Sequence, residues 1–288
     1  PSLLRYAPLN VRERLAAVRA ASALRRLDPA DPALDSESLG AWLRAHGQSD
    51  NAIVSLWNLI ALPTLNLPAD EASLAEAVTV FRTGLLDTAG AADIGVPLAP
   101  FQRLHADPAR AAIERAGGRV LLSTRVERVE DLLADGPVVV AVPHHVAAGL
   151  VPALAPAVRL LGESPIVNLH VLYDRPVLDE PLAAALGSPV QFLFDRTAAS
   201  GAREGQLLAI SLSHAVEEVG MSVAALRDRY LPALERLLPV ARRAAVLDVA
   251  ATHEPRATFR AAPGTRQDRK STRLNSSHVS ESRMPSSA

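Results

Sequence analysis

Cysteine is absent from the 288 residues, which removes disulfides, thiolate nucleophiles and Cys-ligated zinc or iron–sulfur centres together. The absence suits a reducing cytoplasm. Lysine is nearly absent as well: Lys270 stands alone, and arginine carries the remaining basic charge. A formal net charge of −1 leaves no basic field for nucleic acid, and aromatic residues for base stacking make up only 3%. No apolar run approaches the roughly 20 residues that span a bilayer, and no charged-then-apolar leader opens the chain. The expectation is a soluble cytoplasmic protein, with at most a peripheral contact at the inner face of the cell membrane.

Protein-borne reactive sets are missing too. No Gly-x-Ser-x-Gly elbow occurs, and the histidines show no His-Glu-x-x-His spacing, so neither hydrolase chemistry nor a metal is expected. His144 and His145 are adjacent, and their side chains are expected to diverge, lining a cofactor pocket or packing as ordinary polar groups. The acidic pairs Asp179-Glu180 and Glu217-Glu218 read as solvent-facing. With no reactive set of its own, such a chain leaves the hard chemistry to a cofactor.

What is present is enough apolar residue, 49% against 21% charged, for one large or two modest domains. Asn10 to Leu27 reads as an amphipathic helix with Val11, Leu15, Val18 and Ser22 on one stripe and a basic face of Arg12, Arg14, Arg19, Arg25 and Arg26. That stripe packs on the core or, alternatively, rests on an anionic membrane surface. Ser36 is placed to cap a second helix ending at Gly47, and Ser49 or Asp50 a third. Pro63 to Pro68 reads as an extended link, and Asp70 to Ser73 opens a fourth helix to about Leu86.

Asp107-Pro108 has the look of an N-cap and first-turn proline, with Gly117-Gly118 closing that helix. From there, Gly117–Leu122, Thr124–Val129 and Pro137–Pro143 alternate or run apolar like a β-meander of a nucleotide-binding domain. Three further β-like runs, Ile166–Leu172, Val190–Phe194 and Gln206–Leu212, predict an antiparallel sheet. Ser222 then caps a long helix through Leu237, and Ala244–Ala250 is a last strand.

Several segments together resemble one family: Leu27-Asp28-Pro29-Ala30-Asp31-Pro32, Pro63-Thr64-Leu65-Asn66-Leu67-Pro68, Ser164-Pro165-Ile166-Val167-Asn168-Leu169-His170, Phe194-Asp195-Arg196 and Ala257-Thr258-Phe259-Arg260. They are similar to the FAD-dependent hydroxysqualene dehydroxylases, within the flavin amine oxidase and phytoene desaturase superfamily. The resemblance implies an α/β fold: an incomplete FAD-dependent amine-oxidase-like two-domain fold, with a partial FAD-binding domain and a substrate domain of antiparallel sheet and helical cap. It implies FAD as cofactor and a polyprenoid substrate, whose allylic hydroxyl leaves and is replaced by hydride from the reduced flavin, in the route toward hopanoids.

By the same resemblance Val126 offers main-chain contacts to the adenine, and Ala141, Val142 and Pro143 form the strand end nearest the cofactor. Thr64 and Asn66 are candidates for substrate-side or domain-interface groups, with turn stabilisation as the alternative. Asn168 and His170 share one sheet face and are candidates for the cavity wall, with structural hydrogen bonding as the alternative. No catalytic residue transfers.

The implied division is 1–100 as the helical part of the substrate domain and 101–160 as the partial FAD-binding domain. Residues 161–240 are the substrate-domain sheet and long helix, 241–266 a return strand toward the FAD domain, and 267–288 a disordered, non-native tail. The sequence has no Gly-x-Gly-x-x-Gly turn to cradle a pyrophosphate, and the expectation is an internal fragment of such an enzyme. A carotenoid desaturase, an amine oxidase and a catalytically silent binder of apolar ligands remain as alternatives.

Overall fold

The computed structural model describes residues 3–133 and 136–266; the serine-rich tail from 267 lies outside them. Helix α1 (Val11–Leu24) starts at a capping box, in which the Asn10 side chain accepts from the Glu13 amide and the Glu13 carboxylate accepts from the Asn10 amide. Its inward face is not the expected one. Ala17, Ala20 and Leu24 are buried, whereas Val11, Leu15 and Val18 are exposed. Glu13 sets this rotation: it accepts from the Ser49 hydroxyl at 2.6 Å and the Asn51 amide at 3.2 Å, turning the alanine side inward.

Helix α2 (Leu39–Ala45) is capped by Ser38 rather than Ser36, which instead ends a 3-10 turn at Pro32–Ser36. Gly47, at φ 74°, follows it. Ser49 caps α3 (Asp50–Ala52), which continues through a π-helical turn, Ile53–Trp57, into α4 (Asn58–Leu65). The expected extended link is therefore helical up to Leu65. Pro63 removes a donor only in the last turn, the Thr64 hydroxyl donates to the Ile60 carbonyl at 2.6 Å, and Asn66, left-handed at φ 54°, ends the helix. Helix α5 (Leu74–Phe81) runs on into a second π turn, Arg82–Leu86. Leu24, Leu39, Trp42, Trp57, Leu74 and Phe81 form the core of this helical half. The buried Trp57 indole donates to Gln48 at 2.9 Å, satisfying its one polar atom.

Helix α6 (Asp107–Arg115) grows out of a π turn at Gln102–Ala106, so Asp107 lies inside a continuing helix and caps nothing. The wide turn pairs the Asp107 amide with the Gln102 carbonyl, directly before a proline that has no amide to offer. Short helices α7 (Glu130–Leu133), α8 (His144–Leu150) and α9 (Ala155–Leu161) follow. The expected β-meander between Gly118 and Pro143 does not form: residues 118–128 and 137–141 enter no ladder. A strand is defined by its partner, and these side chains have none over them. Leu121 and Leu122 are exposed, Val139 is 89% exposed, and from Asp87 to Val151 only Val129 is buried among the described residues.

Strands β1 (Glu163–Tyr173), β2 (Leu182–Ala184), β3 (Phe192–Asp195), β4 (Gln206–Ser213) and β5 (Val246–Phe259) make one antiparallel sheet in the order β2-β3-β4-β1-β5. Between them lie the short α10 (Thr197–Ser200) and the Ser222-capped α11 (Val223–Leu237). Strand β2, with no β-branched residue, gave no sequence signal, and β5 runs past its expected end at Ala250 because β1 pairs with it along nearly its whole length. Central β1 alternates: Val167, Leu169, Val171 and Tyr173 are buried and share a core with Leu226, Tyr230 and Leu234 of α11. Gln206 closes the corner beside this core. Its amide accepts from Val177 and Leu178 at 2.7 and 3.0 Å and donates to the Leu178 carbonyl and the Asp195 carboxylate at 2.7 and 2.9 Å.

Candidate functional site

Asn66 joins the helical half to the sheet. Its left-handed backbone aims the buried side chain across the boundary, where the amide donates to the Ser164 carbonyl and the Thr258 hydroxyl, both at 3.0 Å. The Asn66 Oδ1 accepts from the His214 amide at 2.5 Å, and its main-chain carbonyl accepts from the Ser164 hydroxyl at 2.7 Å. One residue thus touches the start of β1, the end of β4 and the end of β5. Nearby, Glu71 pairs with Arg260, and its other oxygen lies 3.6 Å from His214 Nε2. Thr64, by contrast, is spent on its own helix.

A second cluster forms where α8 meets β1. His144 Nε2 and His145 Nδ1 stand 3.8 and 3.6 Å from Glu163 Oε1, and Arg256 Nε lies 3.1 Å from Glu163 Oε2. The adjacent histidines therefore converge instead of diverging. One reaches with its far nitrogen and the other with its near one, so neighbouring side chains meet on one carboxylate. His144 is held below the ordinary histidine pKa, first by burial and also by His145 and Arg256, against the opposing pull of Glu163. His145 Nδ1 is buried without a hydrogen-bond partner.

A cavity of about 480 Å³ opens beside them, walled by Ala148, Gly149, Val158, Arg159 and Gly162. Sequence spacing gave no hint of a cation site, yet in space His144, His145 and Glu163 bring ligand atoms within 4.8 Å of one another. Arg256 already neutralises that carboxylate, which disfavours a further cation, and two imidazoles on one carboxylate suit proton transfer. Glu163 and Arg256 carried no sequence signal, because they lie far apart in the chain and only the β1–β5 pairing joins them.

A third feature is an apolar cavity of about 570 Å³ in the helical half, lined by Tyr6, Ala17, Ala21, Trp57, Ile60 and Phe81 among others. It has the lining expected for a hydrocarbon ligand. The sequence-derived candidates Asn168 and His170 lie elsewhere, on the half-buried face of β1 opposite α11. Asn168 reaches Thr252 at 3.5 Å. His170 is held below its ordinary pKa by burial and by Arg196, whose guanidinium lies 5.6 Å over the Phe101 ring. Val126 and Val142 are exposed in the unladdered stretch, as is Ala141, and Pro143 stands at the N-cap position of α8 with no side-chain bond to it.

Comparison with known proteins agrees with this architecture. Hydroxysqualene dehydroxylase of Sinorhizobium fredii (strain NBRC 101917 / NGR234) is 28% identical over 151 residues, 47% of this chain and 36% of that protein, so the chain matches little more than a third of that relative's length. Among solved structures, an oxidoreductase from Methanosarcina mazei superposes with a TM-score of 0.64 at 17% identity, over 90% of this chain and 65% of that one. Cyclohexylamine oxidase from Brevibacterium oxydans IH-35A gives 0.64 at 18%, over 91% and 66%. At these identities the structures share the fold. The family described as flavin containing amine oxidoreductase matches residues 1–279, and the chain belongs to that family, whose cofactor is FAD.

Proposed function

We propose that the whole protein containing this chain is a hydroxysqualene dehydroxylase, an FAD-dependent oxidoreductase that converts hydroxysqualene to squalene. The observation that carries the reading is the match to the Sinorhizobium fredii protein, in a chain whose helical half holds an apolar cavity of about 570 Å³. A polyprenoid substrate, a cytoplasmic setting and peripheral contact with the inner membrane face go with it. So does the division into a helical part at 1–100, a partial FAD-binding domain at 101–160, a sheet and long helix at 161–240 and a return strand at 241–266.

The residues present fit one part of FAD and not another. Val126 lies in a stretch that no described strand pairs with, so its main-chain groups can meet an adenine, and Ala141, Val142 and Pro143 lead to the cavity walled by Gly149 and Gly162. The pyrophosphate has no glycine-rich strand-to-helix turn in this sequence. Each charge-assisted bond lost there costs about 1.5–3 kcal/mol, so tight binding by these residues alone is not expected.

When bound, the flavin supplies the hydride that replaces the allylic hydroxyl. The chain's own part is to bind the hydrocarbon, exclude water and move a proton. The apolar cavity takes the isoprenoid chain, and Asn66, with Thr64 behind it in α4, holds the helical wall against the sheet. His145, held beside the Glu163 carboxylate, is the group placed to carry a proton to a departing hydroxyl, while Asn168 and His170 line the face of β1 opposite α11.

The test is product analysis of the full-length enzyme with reduced FAD, offered hydroxysqualene, phytoene and a primary amine in parallel. Squalene from the first is expected. Turnover of phytoene or the amine alone would reassign the protein to a desaturase or an amine oxidase, and lipid binding without turnover of any of the three would make it a silent binder.

A further inference from the structure

The expected core-facing stripe of α1 points outward, and nothing in the proposed reaction uses it. Val11, Leu15 and Val18 are 67%, 46% and 40% exposed. Their spacing of four and three residues puts them in one line along the helix, directly opposite the buried Ala17, Ala20 and Leu24. A helix that buries alanines and shows valine and leucine to the outside is built with two apolar faces.

Charge then singles out the occupant of the outer one. Arg12 and Arg19, both exposed, flank the line on one side, and exposed Arg26 continues that flank past the helix end. Arg14 and Arg25 flank the other side; Arg14 Nε donates to the Leu9 carbonyl, and Arg25 lies 3.7 Å from Asp87. The one acid within α1, Glu13, is turned inward onto Ser49 and Asn51. An apolar line between rows of arginines, in a protein of net charge −1, fits the boundary between acyl chains and anionic headgroups, with the arginine stems extended beside the line. The same helix also lines the apolar cavity through Ala17 and Ala21, and Ala21 is the neighbour of Val18 one turn on.

We propose that the outer face of α1 docks on an anionic lipid bilayer and sets the apolar cavity beside the membrane surface, where a hydrocarbon ligand can pass from lipid to protein. The inference adds the surface and the partner to the polyprenoid reading and rests on it only for the ligand. Its test reads lipid binding alone, so failure of either leaves the other standing.

The experiment is co-sedimentation of the 288-residue chain with phosphatidylglycerol–phosphatidylcholine vesicles and with phosphatidylcholine vesicles, at low and high salt. Binding to the anionic vesicles is expected to be at least about tenfold stronger than to the neutral ones and to weaken with salt. The triple variant Val11→Ser, Leu15→Ser, Val18→Ser should lose at least about tenfold in partition with an unchanged melting curve, and Arg12→Glu with Arg19→Glu should abolish the anionic preference. Wild-type protein that stays in the supernatant, or a serine variant that sediments as well as wild type, would overturn the proposal. So would size-exclusion chromatography in which a dimer forms and the serine variant dissociates it, since the face would then belong to a second copy.

Discussion

Strand β1 and the run Val138–Val142 both carry β-branched apolar residues, and they end in different states. Strand β1 lies between β4 and β5, and its alternate side chains are buried against α11. In the other run Val139 is 89% exposed, and no described strand pairs with it. The valine-rich run is the stronger β-former of the two, and it is the one without a partner. A β-forming sequence states a readiness to pair, and burial follows only when a second strand and a covering layer arrive from elsewhere in the chain.

Four substitutions or conditions would break or sharpen that contrast. The largest effect is expected at Asn66, on the side of the molecule where partners have arrived. Asn66→Ala strands the Ser164 carbonyl, the Thr258 hydroxyl and the His214 amide and should cost about 3–5 kcal/mol in urea unfolding. A loss under about 1 kcal/mol would mean that the helical half and the sheet do not depend on this residue.

Gly40→Ala comes next. A Cβ there would stand 2.0 Å from the Asp70 carboxylate and 2.9 Å from the Asp70 Cα, so α2 must back away from the loop it touches, at about 1–3 kcal/mol. Asp70 is also held by Arg44, and an unchanged melting temperature would show that this contact yields freely.

A smaller effect is expected from pH. Burial, and then Arg196, hold His170 below its ordinary pKa, and burial is likewise the main cause at His144. Both favour the neutral ring in the folded state, so their contribution is present above about 6.5, the unfolded value, and is lost as pH falls from there through the lowered folded-state value. Melting temperature should drop between pH 7.5 and 5.5, a window above the carboxylate range, and His170→Gln should flatten the drop. An equal slope in that variant would refute the assignment. Least of all, Val139→Ser should change stability by no more than about 0.5 kcal/mol; a larger loss would reveal a partner over the middle stretch.

Local signals in the sequence were legible wherever one residue settles the matter. Ser49 and Ser222 cap their helices and Gly47 takes a positive φ, and the alternation of Val167, Leu169 and Val171 against Asn168 and His170 marks the two faces of β1. The rotation of α1 was not legible, because Glu13 fixes it through Ser49 and Asn51 much further along the chain. The π turns before Asn58 and Asp107 were hidden for another reason: a wider turn keeps helical composition, and the one before Asp107 carries the helix through the cap that spacing predicts there. Of the candidate site, His144 and His145 stood out as a pair, but the carboxylate that draws them together comes from the first position of β1.

The Gln206 amide occupies the place of a missing peptide plane, answering two main-chain donors and one main-chain acceptor at Val177 and Leu178. Asparagine would fall one methylene short, and glutamate would turn an acceptor toward the Leu178 carbonyl and Asp195. The rung needs β4 beside Val177 and Leu178 before it can close, so this corner is expected to assemble late. Kinetically, damage there should hasten opening while leaving the rate of closure almost untouched, a signature that stopped-flow measurements on Gln206→Leu would display.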